Sequence, residues 1–204
     1  MDIFIAPIMP FPKISWWSQH LAAERTLLNL QEHYNKSAPR NRYPISGANN
    51  PLTLSIPLQD GREQRRLITE IKIFNLENWQ IKHWRTLVSA YRRSPYFDHY
   101  EPSLQPLFGH QFESLAEFNL QTIDWVCKAL KVPTIESVQG ISTLETPKSL
   151  KGAASNDSFP EYYQVFRERI GFQPDLSILD LLFSLGPQAK EWILKHHAQI
   201  MVSG

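Results

Sequence analysis

Cysteine is almost missing from this chain: one residue, Cys127, in 204. No internal disulfide can form, and such thiol usage fits a reducing compartment, so the expected location is the cytoplasm. An excess of either charge is missing too. Twenty-one Lys and Arg stand against 20 Asp and Glu, for a formal net charge of +1. No global field draws the chain to nucleic acid or an acidic membrane, and any basic site must be local. Uninterrupted apolar runs long enough to span a bilayer are lacking, so no membrane span is expected. The N-terminal stretch MDIFIAPIMPFPKISWW has an apolar look. It carries no basic leader, and Pro7, Pro10 and Pro12 interrupt it, which argues against a signal peptide.

Catalytic signatures are equally sparse. The sequence holds no HExxH zinc motif, GxSxG nucleophile elbow, Walker phosphate loop or GxGxxG dinucleotide fingerprint. Its seven histidines are scattered, and the adjacent His196 and His197 would point about 100° apart on a helix, as surface residues do. No neighbour of Cys127 in sequence would activate its thiol. No metal site is expected and no cofactor is specified. Basic and aromatic residues could touch single-stranded nucleic acid, but recognition motifs are absent and the charge is balanced, so nucleic acid is not expected as a partner.

Proline and tryptophan are plentiful, with 15 and 6 residues, which suggests defined loop corners and packed aromatic junctions. The length suits one domain with a substantial core. Residues 79–97, WQIKHWRTLVSAYRRSPYF, form its clearest segment. Ile81, Trp84, Leu87, Val88 and Tyr91 make one helical stripe, while Lys82, Arg85, Ser89 and Arg92 face away and His83 sits on the border. Asn78 is placed to cap this helix, and Pro95 ends it.

In chain order, strands are expected at 3–6, 26–31, 43–45, 52–58, 67–74 and 134–138, and helices at 16–24, 102–108 and 114–131. Leu52, Leu54, Ile56 and Leu58 alternate and should share one buried face. Residues 32–42 read as a surface loop and 60–66 as a basic loop. Three helices, 160–170, 177–185 and 187–200, follow a mobile loop at 139–159. Gly186-Pro187 separates the last two, and Ser177 and Asp180 have capping-box spacing. The expected fold is α/β: one domain over 1–204, comprising a mixed sheet with packed helices over 1–138, the loop, and a helical C-terminal subregion over 160–204.

HYNKSAPRNRYPI at 33–45, LTLSIPL at 52–58, WQIKHWRTLVSAYRRSPYFDHY at 79–100 and LSILDLLFSLGPQA at 176–189 together resemble the WbqC-like protein family in a short form. The resemblance runs from Ile3 to about Trp192. It implies a role in bacterial surface-polysaccharide synthesis. Asn41, Arg42, Trp79, Lys82, His83, Tyr91, Pro95, Tyr96 and Phe97 match the family pattern. Ala6-Pro7 stands where that pattern has Gln-Pro, so any ligand contact made by the glutamine in relatives is lost here or rebuilt elsewhere.

Residue chemistry gives these positions roles. Arg42, with Arg40, and Lys82 could hold phosphate or carboxylate, Asn41 could orient a sugar, and His83 could act as general acid or base. The competing reading is a solvated basic loop beside a helix-border histidine. Trp79, Tyr91, Tyr96 and Phe97 could stack on a sugar or nucleotide, although helical spacing favours packing. Asn119, on the inward part of its helix, needs a partner in the sheet, a ligand or water. Asp175 and Asp180 are accounted for by helix starts. The expected activity is a transferase-like one on a phosphorylated or nucleotide-linked sugar; the alternative is a non-catalytic partner of a pathway enzyme.

Overall fold

The computed structural model describes residues 2–138 and 159–203. Strand β1 (Ile3–Pro7), helix α1 (Ile14–Ala22) and strand β2 (Arg25–Asn29) form a βαβ unit. β1 and β2 pair in parallel from Ile3↔Arg25 to Pro7↔Asn29. Strands β3 (Arg42–Ile45) and β4 (Leu52–Ser55) make a separate antiparallel pair. Helices α2 (Trp79–Tyr91), α3 (Phe97–Gly109) and α4 (Leu115–Leu130) follow, and strand β5 (Glu136–Val138) then joins the free edge of β2, giving the parallel order β1-β2-β5. After residue 158 come α5 (Arg167–Ile170), α6 (Ile178–Leu185), α7 (Ala189–Lys195) and α8 (His197–Ser203). The α/β class and the helical C-terminal region are as expected, but the described strands divide into two sheets.

Several local expectations change, each for a physical reason. Residues 67–74 form no strand. Ile68 and Ile71 are both fully buried, a spacing of three that suits the 3₁₀ turn Ile68–Glu70 better than an alternating strand. Leu52 does not join the core: it is 43% exposed, at the turn end of β4, where its side chain lies over Gly47. Helix α3 is longer than expected and runs through Pro102 and Pro106. Each proline removes one helical hydrogen bond, yet Phe97, Tyr100, Leu104 and Phe108 bury one continuous stripe, and that packing prevails. Asn78 precedes α2 without a side-chain cap.

The helix expected at 160–170 is reduced to α5. The one expected at 187–200 is split into the 3₁₀ turn Gly186–Gln188, α7 and α8. His196 and His197 are half-buried rather than surface residues; His196 Nδ1 lies 2.8 Å from the Trp192 carbonyl and His197 Nδ1 lies 2.8 Å from Ser18 Oγ on α1. The expected loop at 139–159 lies outside the described residues except for Phe159, which is buried.

The core is one cluster drawing on both the N-terminal and C-terminal parts. Phe11 sits near its middle, with its ring against Tyr43, Phe108, Phe118 and Trp125. Its backbone φ of 41° is unusual for a residue with a side chain. Three hydrogen bonds fix this corner: Phe11 N–H donates to Thr122 Oγ1, Ser177 Oγ donates to the Phe11 carbonyl, and Ile178 N–H donates to the Pro12 carbonyl. The loop after β1 is thereby tied to α4 and to the head of α6. Among the described residues, no helix is long and apolar enough to cross a membrane.

Candidate functional site

Two polar segments run side by side on one face. His33 bridges Leu67 in antiparallel fashion, Tyr34 N–H donates to the Arg66 carbonyl at 2.9 Å, and Ile68 N–H donates to the Glu32 carbonyl at 2.9 Å. The basic loop at 60–66 is thus laid along residues 32–42. Tyr34 is buried and its hydroxyl donates to Asn41 Oδ1 at 3.2 Å. Burial pushes the Tyr34 phenol up, while the Arg62 and Arg42 guanidinium groups pull it back. Both arginines therefore lie within electrostatic reach of one hydroxyl.

Their remaining contacts differ. Arg42 donates through Nη2 to the Lys36 and Ser37 carbonyls, at 3.2 Å each, which pins it to the turn without neutralising it. Arg62 is exposed and makes no hydrogen bond or ion pair with another described residue. Nearby charges cancel, since Lys36 pairs with Glu63 and Arg66 with Asp60. Arg42, Arg62 and the neighbouring Arg65 pair with no carboxylate among the described residues, a local excess of guanidinium suited to a phosphate or carboxylate.

The other expected site residues are dispersed. Asn41 is buried beneath this face, donating through Nδ2 to the Ile56 carbonyl at 2.9 Å. Arg40 is spent on Glu32, Nε to Oε1 at 2.6 Å. Lys82 is exposed and faces Glu77 at 3.5 Å. Trp79 is buried, edge-on to His83 and Phe118. Tyr96 is half-buried, with its ring against Gly186. Asn119 is fully buried and donates to the Arg40 carbonyl at 2.9 Å, while its Oδ1 has no partner.

His83 departs furthest from expectation. The buried stripe of α2 is Trp79, Gln80, His83, Leu87, Ala90 and Tyr91, and Ile81 is 48% exposed. The helix is rotated so that the histidine faces inward. His83 is 4% exposed, Nε2 lies 3.2 Å from the Ser55 carbonyl and Nδ1 lies 3.1 Å from the Tyr43 hydroxyl. Burial lowers its pKa to about 4, against the opposing hydrogen bond to Ser55. In this arrangement the ring is a neutral strut rather than an accessible acid or base.

Sequence reading missed a second polar cluster. Asp180 is fully buried and takes no part in capping; Ser177 Oγ alone accepts from Leu179 N–H. The Tyr91 hydroxyl donates to Asp180 Oδ1 at 2.8 Å, and the Tyr162 hydroxyl and Gln164 Nε2 donate to Oδ2 at 2.7 and 3.0 Å. Burial lifts the carboxyl to about 6, against these hydrogen bonds. The missed signal was an acidic residue inside the apolar run LSILDLLFSL, where a buried carboxyl needs partners. Asp175, also assigned to a helix start, accepts from Ser15 N–H and pairs with Lys13.

Among the described residues, no cluster of His, Cys, Asp and Glu could hold a metal. Cys127 is buried and its thiol is pushed up to about 12, chiefly by burial. Two shallow hollows, of about 280 Å³ beside His110 and Glu117 and about 310 Å³ beside His20 and Glu136, take none of the expected site residues in their walls. Neither the curated proteins nor the solved structures contain a match to the chain. The sequence model of the WbqC-like protein family matches residues 9–154, a span that includes Asn41, Arg42, Arg62, His83 and Tyr91 but not Asp180. On that match, the chain belongs to the WbqC-like protein family.

Proposed function

We propose that the protein is a transferase-like enzyme of bacterial surface-polysaccharide synthesis that takes a nucleotide-linked or otherwise activated sugar by its phosphate. Family membership supports the pathway. The phosphate contact rests on one observation: Arg42 and Arg62 both act on the Tyr34 phenol, and neither pairs with a carboxylate among the described residues. Asn41 supports Tyr34, accepting from its hydroxyl at Oδ1. His83 serves this face indirectly. Arg42 is paired with Ser55 across β3 and β4, and the Ser55 carbonyl accepts from His83, so α2 and the arginine are joined through one strand residue.

A second reading has its own support. The two groups best suited to proton transfer or nucleophilic attack are not free for it: His83 is engaged internally and Cys127 is buried as a thiol. The same anion-binding face could then present or stabilise an enzyme of the pathway without turnover. Thermal shift with nucleotide sugars, free nucleotides and sugar phosphates separates the readings when each hit is also assayed for turnover. Stabilisation by a ligand that binds the native state, lost in folded Arg42→Ala and Arg62→Ala variants and accompanied by turnover, supports the enzyme. Binding without turnover supports the partner, and a uniformly negative screen removes the phosphate contact from both.

A further inference from the structure

Between Phe159 and Asp175 the chain lies on the body through three buried side chains, with Phe166 and Phe172 partly buried against the core. Only Phe159, Tyr162 and Gln164 are buried in that stretch, and α5 within it buries none. Two of those three anchors end on the Asp180 carboxylate, Tyr162 at 2.7 Å and Gln164 at 3.0 Å. Gln164 also closes the stretch on itself, with Nε2 donating to the Gln173 carbonyl at 2.9 Å and Oε1 accepting from Gln173 N–H at 2.8 Å.

Among the described residues the carboxylate has no countercharge. From α2 it meets the Tyr91 hydroxyl, which itself accepts from Ser46 N–H at 2.9 Å. Tyr43 on β3 is the next titratable group, acting on Tyr91. At the head of α6, Lys13 and Asp175 pair with each other, and on the segment itself Arg167 pairs with Glu161. From α7 the neighbour is Trp192, against the Tyr162 ring. Among the described residues, neutral donors alone hold this fully buried acid.

We propose that residues 159–173 form a proton-tightened strap, held on Asp180 more firmly when that carboxyl is protonated than when it is ionised. The ionised form gives up its hydration to sit beneath the docked strap and regains it when the strap lifts. The proton therefore favours the docked state. Burial raises the docked carboxyl from 3.8 to about 6. The sign follows: docking is strongest below the open-state value and weakens as pH rises towards the docked value.

Hydrogen exchange read by mass spectrometry on the whole protein, with labelling times scaled to intrinsic rates at pH 5 and pH 7.5, tests this. Peptides covering 159–173 should be roughly tenfold less protected at the higher pH, while α4 peptides keep their protection. Asp180→Asn, neutral at both pH values, should protect the strap equally at the two pH values and at least as well as wild type at pH 5. Equal wild-type protection at the two pH values, the same trend in Asp180→Asn, or a trend shared by α4 overturns the proposal. Tyr162→Phe provides a second test should the Asn variant fail to fold. It removes one donor to the ionised carboxylate, so the midpoint of the dependence should move to higher pH, and an unmoved midpoint counts against the strap.

Discussion

The Tyr43 hydroxyl meets His83 Nδ1 at 3.1 Å inside the protein, and this contact fixes the state of the histidine. The Ser55 carbonyl, 3.2 Å from Nε2, can only accept, so the proton belongs on Nε2 and Nδ1 accepts from the tyrosine. A second proton on the ring would set N–H against a hydroxyl already donating to it, at a buried position. β3 and α2 are joined by a neutral imidazole.

His83 should therefore remain neutral to far lower pH than a free histidine. With its pKa lowered from 6.5 to about 4, the stability it contributes is fully present above 6.5 and is lost as pH falls towards 4. By pH 4.5 the loss should be about 2.5 kcal/mol. His20, also lowered to about 4 by burial, adds a loss of the same sign, whereas Asp180, raised to about 6, opposes both. Urea midpoints at pH 7 and pH 4.5 check this: wild type should lose more stability on acidification than His83→Gln. Equal losses would show that the histidine titrates freely.

Gly186 ends α6 at φ +55°, and a β-carbon there would lie 2.5 Å from the Tyr96 ring. Backbone strain and this close approach act together, so Gly186→Ala should destabilise by about 2 kcal/mol or more. Thermal unfolding measures it, and a wild-type melting temperature would mean that Tyr96 moves aside at little cost.

Cys127 is buried with its thiol pushed up to about 12, and the thiolate is the reactive form. A thiol-reactive dye at pH 8 should label the native protein only as fast as the protein unfolds. Rapid labelling without denaturant would contradict this burial.

Long-period patterns in the chain were readable and distant partners were not. The stripe of α4, from Leu115 through Phe118, Thr122, Ile123 and Val126 to Leu130, is buried as its spacing requires, because four turns of repetition leave little freedom of phase. Helix α2 shows the limit. Its existence follows from its pattern, but its rotation depends on Tyr43, 40 residues away, and on the Ser55 carbonyl, 28 away, so His83 was taken for a border residue. Asp180 is a stronger case, since Tyr91 is 89 residues distant and helix-start chemistry offered a sufficient local reason for an aspartate. Arg62 was visible only as part of a basic loop. The bridge between His33 and Leu67 sets that loop along residues 32–42, which carry no strand pattern to announce a partner.

Arg42 and Arg62 should be removable without loss of the fold. Arg42 holds two carbonyls at an exposed turn, and Arg62 holds none, so each alanine variant should cost no more than about 1 kcal/mol. Urea unfolding measures this cost. A larger loss in Arg42→Ala would mark the residue as part of the scaffold.

Calorimetric titration of uridine diphosphate into wild type and into the Arg42→Ala/Arg62→Ala double variant at low and moderate salt tests the phosphate contact most directly. Binding by wild type that weakens with salt, and disappears in a double variant with native unfolding behaviour, is the expected result. Equal binding by the two proteins would place the phosphate elsewhere, and no binding by wild type would contradict an anion site at this face.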